Sequence, residues 1–463
     1  MKLQILFSFM LVAAARQPVA ETNQGTFYGT QLHDEVNTFL GIPYAKPPVG
    51  DKRFEPPQAI EKLPIGKASH FNATAFGPAC HQFMYRDVMG NEAHPATPQA
   101  EDCLTINIFV PSKAVTSDAA VQKLPVYVWS FGGGFGEGAA SVPLYDPTAY
   151  RLTIFGFPNS PALTHQNLGL RDQRLALEWL RDNISAFGGD PKRIVLGGQS
   201  AGAISAHAMS YAYPSDPIAT GLLLQSGTIE GLGALAHNPD FEFVRVAKAV
   251  GCQSTDRLKE LACMKRVDAQ QLQHAISHHT LNPFGSLYGG WPMVDNTTVF
   301  TNEEYERKGR EGKFAHVPTL IGSMLNEGDG SVNWDACTGV NRTQANWVTE
   351  AIFECNIAIE ARGTFLDVET YPWLRAYHGA DIPILMGTYS LMRTDYTSPQ
   401  TPEAARFLQK LFGAFVKDPA RGLTEKYRLP TYQINDTTLI ELFPDNRPTL
   451  ALAKPIENPS CSK

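Results

Sequence analysis

The stretch Arg193–Ala203, RIVLGGQSAGA, constrains the fold of this chain more than any other. An apolar, β-branched run enters a glycine-rich bend, and small residues suited to a helix follow it, which predicts a strand, a tight turn and a helix in direct succession. Further apolar runs at 126–131, 221–224 and 317–321 end in glycine, serine or polar residues, while 168–184 carries leucines at helical spacing. Strands and helices that alternate in this way predict an α/β fold with a mostly parallel central sheet flanked by helices.

Size and charge exclude several classes of protein. The chain has 463 residues, of which 43% are hydrophobic, so it can bury a large core. Its net charge of −7 provides no basic surface for nucleic acid. No apolar run outside the N-terminus approaches the length of about 18 residues that a membrane-spanning helix needs. We therefore expect no nucleic-acid partner and no integral membrane association.

The N-terminus has the features of a secretory signal. An early lysine precedes a short apolar segment. Small residues then provide two possible cleavage sites, one after Ala15 and one after Ala20. An ordinary N-terminal helix is the alternative. We predict a signal peptide over residues 1–20, a single domain over residues 21–463, and a secreted, extracellular protein.

Cysteines and glycosylation sequons agree with export. No two of the seven cysteines have the C-x-x-C spacing of a zinc site, and we expect no metal. In an oxidising compartment, Cys80 with Cys103 and Cys252 with Cys263 would close short loops, whereas the remaining three cannot all pair within one chain. The remaining three are Cys337, Cys355 and Cys461. The glycosylation candidates are Asn72, Asn183, Asn296, Asn341 and Asn435.

Ser200 lies at the centre of a G-x-S-x-G motif, Gly198–Gly202. The motif is weak alone, because a glycine-rich packing turn produces the same letters. The flanking strand and helix are the context in which a sharp turn presents a nucleophilic serine. A serine hydroxyl needs a general base, an orienting carboxylate and an oxyanion hole. In this fold class the three triad residues occur along the chain in the order Ser, acid, His.

That order restricts the partners of the serine. Of twelve histidines, only His378 lies beyond Glu327, the best carboxylate candidate. Glu327 follows the strand-like VPTLIG, and His378 lies in the polar loop AYHGADIP. Asp329 is the rival for the carboxylate role. The ordinary alternatives are a solvated loop acid and an exposed histidine.

The glycines after VYVWSF suit an oxyanion hole. In the sequence Phe131–Phe135, FGGGF, glycine lets backbone N–H groups approach a developing oxyanion. The segment Gly134–Ala139 also fits a loose G-x-G-x-x-A dinucleotide fingerprint. That fingerprint requires a helix to begin directly at the glycine-rich turn, and Pro143 and Pro147 would interrupt such a helix. No dinucleotide cofactor is therefore expected.

Taken together, these motifs resemble the type-B carboxylesterase/lipase family of α/β-hydrolases. The resemblance covers most of the chain and implies Ser200 as nucleophile, Glu327 as orienting acid and His378 as general base. It places the oxyanion donors on Gly133, Gly134 and Ala201, and implies the Cys80–Cys103 and Cys252–Cys263 disulfides. The matching stretches are FLGIPYAKPPVGDKRFEPP, EDCLTINIFVP, GGGF, NLGLRDQRLALEWLRDNISAFGGDP, GGQSAGA, NEG and AYHGADIP.

Gln199 stands where many family members carry glutamate, and little consequence is expected because this residue is outside the proton relay. Two larger departures concern the scaffold. An interior strand expected before the YRL segment is missing, and Arg151–Phe155 is a short candidate to replace it. The 50 residues between Glu327 and His378 leave little room for the helices that usually line the pocket.

The expected activity is hydrolysis of a small-molecule or lipid ester through an acyl-enzyme, without any cofactor. The mostly polar loop between Cys80 and Cys103 favours soluble or short-chain esters over an oil surface. A cage for quaternary ammonium would need several aromatic side chains, with Trp129, Trp291 and Trp334 available. The alternative is a folded, catalytically impaired or binding-only relative, because the scaffold is shortened. No oligomeric state is predicted.

Overall fold

The computed structural model describes residues 17–33, 35–61, 70–82, 98–114, 123–142, 148–229, 239–277, 290–330, 332, 334–335, 339–350, 378–391, 400–431, 438–443 and 447–453. The strands in chain order are β1 Val19–Thr22, β2 Gly25–Tyr28, β3 Thr30–His33, β4 Val36–Pro43, β5 His70–Asn72, β6 Thr105–Pro111, β7 Leu124–Ser130, β8 Gly189–Gln199, β9 Gly221–Gln225, β10 Thr319–Gly322, β11 Trp334–Asp335, β12 Gly339–Val340, β13 Leu439–Leu442 and β14 Leu450–Ala453. The α-helices are α1 Thr153–Gly156, α2 Leu168–Asn183, α3 Ala201–Ala212, α4 Pro239–Ala249, α5 Arg257–Met264, α6 Ala269–Ser277, α7 Asn302–Arg310, α8 Arg342–Val348, α9 Asp381–Met386, α10 Thr401–Lys417 and α11 Gly422–Tyr427. Short 3-10 helices cover Gly50–Lys52, Ile184–Phe187, Glu327–Gly330 and Tyr389–Leu391.

The central sheet is parallel and has the order β10-β9-β8-β7. Its four strands are the apolar runs that the sequence analysis assigned to strands, and α2 lies where the leucine spacing predicted a helix. Two smaller sheets, β1-β2-β5 and β3-β4-β6, and two hairpins, β11-β12 and β13-β14, accompany it. The predicted α/β fold with a mostly parallel central sheet is therefore confirmed.

Helices cover both faces of this sheet. Successive side chains of β8 and β9 point to opposite sides, and apolar side chains on both sides are buried. On one face, Leu196 and Leu222 belong to the buried cluster that contains Leu177 of α2. On the other face, Val195 and Leu223 pack in the cluster formed with α10. The α10 residues in that cluster are Ala404, Ala405, Leu408, Leu411, Phe412 and Phe415.

In the part of the chain that the structure describes, the central sheet ends at β7, where an interior strand was expected to be missing. Within the described residues, β7 pairs with β8 alone, and β6 belongs to a separate sheet. The chain at 148–149 lies between them: Thr148 N donates to Trp129 O at 3.5 Å, and Ala149 N donates to Thr105 O at 3.0 Å. The idea that Arg151–Phe155 replaces the strand is wrong, because helix α1 begins at Thr153. Two backbone hydrogen bonds thus take the place of a full ladder.

A buried ion pair fixes this bridging segment. Arg151 forms a bidentate ion pair with Asp172 of α2. Its Nε donates to Oδ2 at 2.9 Å, and its Nη2 donates to Oδ1 at 2.8 Å. Both side chains are at most 4% exposed. The Arg151 backbone N–H also donates to Asp172 Oδ2 at 3.0 Å, and Nη1 donates to Glu55 O. Because Asp172 satisfies the arginine with three hydrogen bonds, the chain is held where the ladder is missing.

The N-terminal residues from Gln17 onward belong to the fold. Ala20 is 1% exposed, lies in β1 and pairs with Phe27 of β2, while Gly29 N donates to Pro18 O at 2.9 Å. Cleavage after Ala20 would remove half of β1. Cleavage after Ala15 would leave the strand intact, so the position of the signal-peptide boundary decides whether β1 is complete in the mature chain.

Two disulfides join Cys80 to Cys103 and Cys252 to Cys263. Cys337, Cys355 and Cys461 lie outside the described residues, and so does much of the short stretch between Glu327 and His378, namely 331, 333, 336–338 and 351–377. No helix in the described ranges is long and apolar enough to cross a membrane.

The sequons differ in their surroundings. Asn72, Asn296 and Asn341 are exposed, and Asn435 lies outside the described residues. Asn183 is 7% exposed and its Nδ2 donates to Trp179 O at 2.9 Å. Because a glycan would have to be attached to that same buried nitrogen, Asn183 is a poor acceptor in the folded chain, and the sequon at this position is misleading.

Candidate functional site

Ser200 occupies a strained turn between β8 and α3. Its φ of 55° and ψ of −124° lie outside the regions that non-glycine residues ordinarily adopt. The backbone N–H of Ser200 donates to Gln225 O at 2.8 Å, which ties the turn to the carboxyl end of β9. Ser200 therefore has the conformation expected of a nucleophile at a strand-to-helix turn.

The flanking glycines make this turn possible. A Cβ on Gly198 would come within 2.6 Å of Ser130 O, and a Cβ on Gly202 within 2.1 Å of the same oxygen. Both glycines therefore let the turn pack against the end of β7. The G-x-S-x-G spacing is thus required by packing, whatever the serine does.

Glu327 and His378 meet at the same edge of the sheet. Glu327 Oε2 lies 2.6 Å from His378 Nδ1, and Glu327 Oε1 accepts from Met324 N at 2.7 Å. The glutamate side chain is fully buried, and the histidine side chain is 20% exposed. A carboxylate held in this way accepts a hydrogen bond from Nδ1–H, so the lone pair of the neutral ring lies on Nε2.

Asp329, the rival carboxylate, faces elsewhere. Its Oδ2 lies 2.6 Å from Arg342 Nη1 of α8, and its side chain is 1% exposed. The geometry therefore distinguishes the two acids that the sequence could not separate. Glu327 contacts the imidazole, and Asp329 joins α8 to the loop after β10.

Gln199 contacts the same imidazole from the other side. Its Nε2 lies 2.9 Å from His378 Nε2. Because Nδ1 donates to Glu327, Nε2 of the neutral ring accepts this bond from the Gln199 amide. The expectation that Gln199 is of little consequence overlooked this contact, which no sequence pattern indicated.

A buried polar pair that was not predicted from the sequence lies beside Glu327 and His378. The Nε2 of Gln225 donates to Oδ2 of Asp381, and Gln225 Oε1 accepts from Trp129 Nε1 at 3.4 Å. Burial raises the pKa of Asp381 to about 6, and the nearby Glu327 charge adds to this, while the Gln225 bond and His378 oppose it. A signal for this pair was present: a glutamine ends the all-apolar run GLLL, and an aspartate follows HGA.

The glycine-rich loop lies beside Ser200. A Cβ on Gly132 would come within 2.8 Å of Ser200 Cβ, so backbone closely approaches the serine there. Gly133 and Gly134 have φ values of 98° and 57°, and Ala201 is the first residue of α3. Gly133 O accepts from Gly136 N and Glu137 N at 3.0 and 3.1 Å, which closes the loop into a tight turn.

Among the described residues around the nucleophile, aromatic side chains pack against one another and form no open cage. Trp129 is 7% exposed, and Trp291 meets Phe135 edge-on with ring centroids 5.2 Å apart. The side chain of Trp334 lies outside the described residues. A separate apolar cavity of roughly 290 Å³ lies between β9, β10 and α10; Asp381 lines it, but Ser200, Glu327 and His378 do not.

Comparisons with known proteins identify the family of this chain. Residues 16–355 match the carboxylesterase family. Chlorogenic acid esterase of Aspergillus niger is 34% identical, with the match covering 87% of this chain and 83% of that protein. Secreted lipase 5 of Gibberella zeae is 32% identical over 92% of this chain and 90% of that protein. Acetylcholinesterase of Danio rerio is 33% identical, but over 70% of this chain and 54% of that protein. The chain therefore belongs to the carboxylesterase family and is a carboxylic ester hydrolase.

Proposed function

We propose that Ser200, Glu327 and His378 form a catalytic triad. The observation that carries this proposal is the 2.6 Å contact between buried Glu327 and His378 Nδ1, at the sheet edge where Ser200 occupies its strained turn. Ser200 Oγ attacks the ester carbonyl, and His378 Nε2 takes its proton and passes it to the leaving alcohol. Water then gives a proton to His378 Nε2 and attacks the acyl carbonyl. The carboxylic acid leaves, and Ser200 Oγ recovers the proton from His378.

Glu327 orients the imidazole and stabilises its charged form, without itself taking the proton. The backbone N–H groups of Gly133, Gly134 and Ala201 form the oxyanion hole, where they stabilise the negative oxygen of each tetrahedral intermediate. For His378 to receive the serine proton, its Nε2 must exchange the Gln199 amide for the Ser200 hydroxyl. The chemistry requires no metal or organic cofactor.

The proposed substrates are soluble or short-chain carboxylic esters. The polar composition of the loop between Cys80 and Cys103 supports this class over an oil surface. We further propose a secreted protein that consists of one domain after removal of the signal peptide. The signal-like N-terminus, the sequons and the two disulfides support export.

The test is turnover of p-nitrophenyl acetate, p-nitrophenyl octanoate and chlorogenic acid by purified secreted protein, its Ser200→Ala variant and its Ser210→Ala variant. Ser210 is a matched control, because it lies on the same helix and its buried hydroxyl donates to His207 O. Removing a catalytic serine should lower kcat by at least about 10³-fold, while Ser210→Ala retains turnover. The ratio of acetate to octanoate turnover defines the acyl length.

A second candidate function is binding without catalysis. It is favoured by the interrupted sheet, in which two hydrogen bonds at 148–149 stand beside β7 in place of a strand. Folded, secreted protein whose ester turnover does not exceed the uncatalysed background, with or without the Ser200→Ala substitution, would support this candidate and contradict the triad.

A further inference from the structure

Gln82 joins the disulfide loop to the glycine-rich loop through a buried pair of hydrogen bonds. It lies two residues after Cys80 and is 2% exposed. Gly138 N donates to Gln82 Oε1 at 2.8 Å, and Gln82 Nε2 donates to Gly138 O at 2.8 Å. The side-chain amide therefore satisfies both backbone groups of one glycine at once.

The backbone of Gln82 is itself fixed from two sides. Its N–H donates to Gln99 Oε1 at 3.0 Å, and its carbonyl oxygen accepts from Gln273 Nε2 at 2.7 Å. Gln82 Nε2 also donates to Cys80 O at 3.1 Å, next to the disulfide. Gln99 and Gln273 therefore fix the Gln82 backbone, while the bonds to Cys80 and Gly138 orient its side-chain amide.

Gly138 is the last residue of the turn that begins at Gly133. Its φ is 114°, and a Cβ at this position would come within 2.3 Å of Phe131 Cδ2, so glycine is required. Ala79 packs with Ala139 and Val142 in a small buried cluster, which adds an apolar contact between the two loops. The Gln82 bonds therefore fix the end of the turn that packs against Phe131 and the carbonyl of Gly132.

We propose that Gln82 is a positioning residue for the oxyanion hole, because it clamps the Gly133–Gly138 turn to the loop closed by Cys80–Cys103. The inference rests on the proposed function, since it assigns a role within the same site. Oxyanion donors act by being held in place before the reaction, so a loosened turn stabilises the transition state less well while ground-state binding changes little.

The test compares Gln82→Met with Gln24→Met. Gln24 is a matched control: it is 8% exposed, its Nε2 donates to Ile60 O and its Oε1 accepts from Trp179 Nε1, remote from the serine. For Gln82→Met we expect kcat on p-nitrophenyl acetate to fall about 10-fold with KM nearly unchanged, and a trifluoromethyl ketone inhibitor to bind about 10-fold more weakly. Gln24→Met should lower the unfolding midpoint but leave kcat and the inhibitor constant unchanged.

Amide hydrogen exchange tests the clamp independently of activity. Exchange in a peptide covering 131–140 should accelerate in Gln82→Met relative to the wild type and to Gln24→Met, while a peptide from β8 stays protected. If Gln82→Met does not accumulate, Gln82→Glu, which keeps the acceptor for Gly138 N–H, serves for the same measurement. Equal kcat, inhibitor affinity and exchange in the Gln82 and Gln24 variants would overturn the inference. Absence of Ser200-dependent turnover with accelerated exchange would overturn the proposed function and the catalytic consequence of the clamp, but not the clamp itself.

Discussion

The amide of Gln199 donates to His378 Nε2 across 2.9 Å, so the residue next to the proposed nucleophile occupies the nitrogen that has to accept the serine proton. Glu327 holds Nδ1 of the same ring at 2.6 Å. Both ring nitrogens are therefore engaged by neighbouring side chains before substrate binds.

Replacing Gln199 by glutamate should make activity more sensitive to acid. A carboxylate near Nε2 favours the protonated imidazole, which cannot act as a base. The acid limb of the kcat/KM profile should therefore move to higher pH in Gln199→Glu. Gln199→Leu, which carries no charge, should not produce this shift. Superimposable pH profiles for the wild type and Gln199→Glu would contradict the role of this contact.

Glu327 and Asp329 should respond differently to loss of charge. Glu327→Gln leaves one side-chain oxygen for two donors, Met324 N–H and His378 Nδ1–H, and can place its NH₂ group against Nδ1. That arrangement favours the wrong tautomer, so kcat should fall by about 10³- to 10⁴-fold. Asp329→Asn disturbs the contact with Arg342 and should lower stability while retaining turnover. Measured kcat for both variants, each normalised to folded protein by circular dichroism, decides the assignment. The assignment is wrong if Asp329→Asn suffers the larger loss of kcat.

Asp381 should make the folded state less stable as pH rises. Its pKa is raised by burial to about 6, so between pH 4 and 6 the folded state holds a proton that the unfolded state has lost. The unfolding free energy then falls through this window, by about 3 kcal/mol in all, and stays lowered above it. Asp381→Asn removes this penalty. The unfolding free energy of the variant minus that of the wild type should therefore be larger at pH 7.5 than at pH 4.

Urea unfolding at the two pH values measures this difference, and Asp295→Asn provides a control of opposite sign. Burial raises the pKa of Asp295, but hydrogen bonds from the N–H groups of Val299, Thr298 and Thr297 outweigh it and lower that pKa overall. Asp295→Asn should therefore cost most at neutral pH and less at low pH. A wild-type minus Asp381→Asn difference that is independent of pH would refute the buried-carboxylate argument.

The Arg151–Asp172 pair should be essential to the shortened scaffold. Asp172→Asn leaves a buried guanidinium without its counter-charge, which costs about 3–5 kcal/mol of unfolding free energy. Glu306→Gln, in a pair with Arg310 whose side chains are about 70% exposed, should change stability little. Chemical unfolding of the two variants makes the comparison. Similar small losses in both would show that the bridge beside β7 does not depend on this ion pair.

The mature chain should begin at Arg16. Cleavage after Ala15 follows an Ala-x-Ala pattern and preserves β1, whereas cleavage after Ala20 would remove residues that pair with β2. N-terminal sequencing or intact mass of deglycosylated secreted protein distinguishes the two positions. A mature chain that starts at Glu21 would contradict the structural role of β1.

The sequence by itself determined the parts of this protein that follow from local patterns. The strand–turn–helix at Ser200, the parallel strands and helix α2 follow from hydrophobic periodicity and glycine placement, which act over a few residues. Chain order restricted the histidine to His378. The expectation that an interior strand is missing came from the family resemblance and not from these local patterns.

Only the tertiary structure decided which distant side chains meet. Glu327 rather than Asp329 contacts His378, Gln199 occupies the other imidazole nitrogen, and Gln82 clamps Gly138. Residues 148–149, not Arg151–Phe155, lie between β6 and β7, and Asn183 is buried. The three side-chain contacts join residues 51 to 179 positions apart in the chain, and the other two outcomes also depend on tertiary packing. Periodicity carries no information about such contacts.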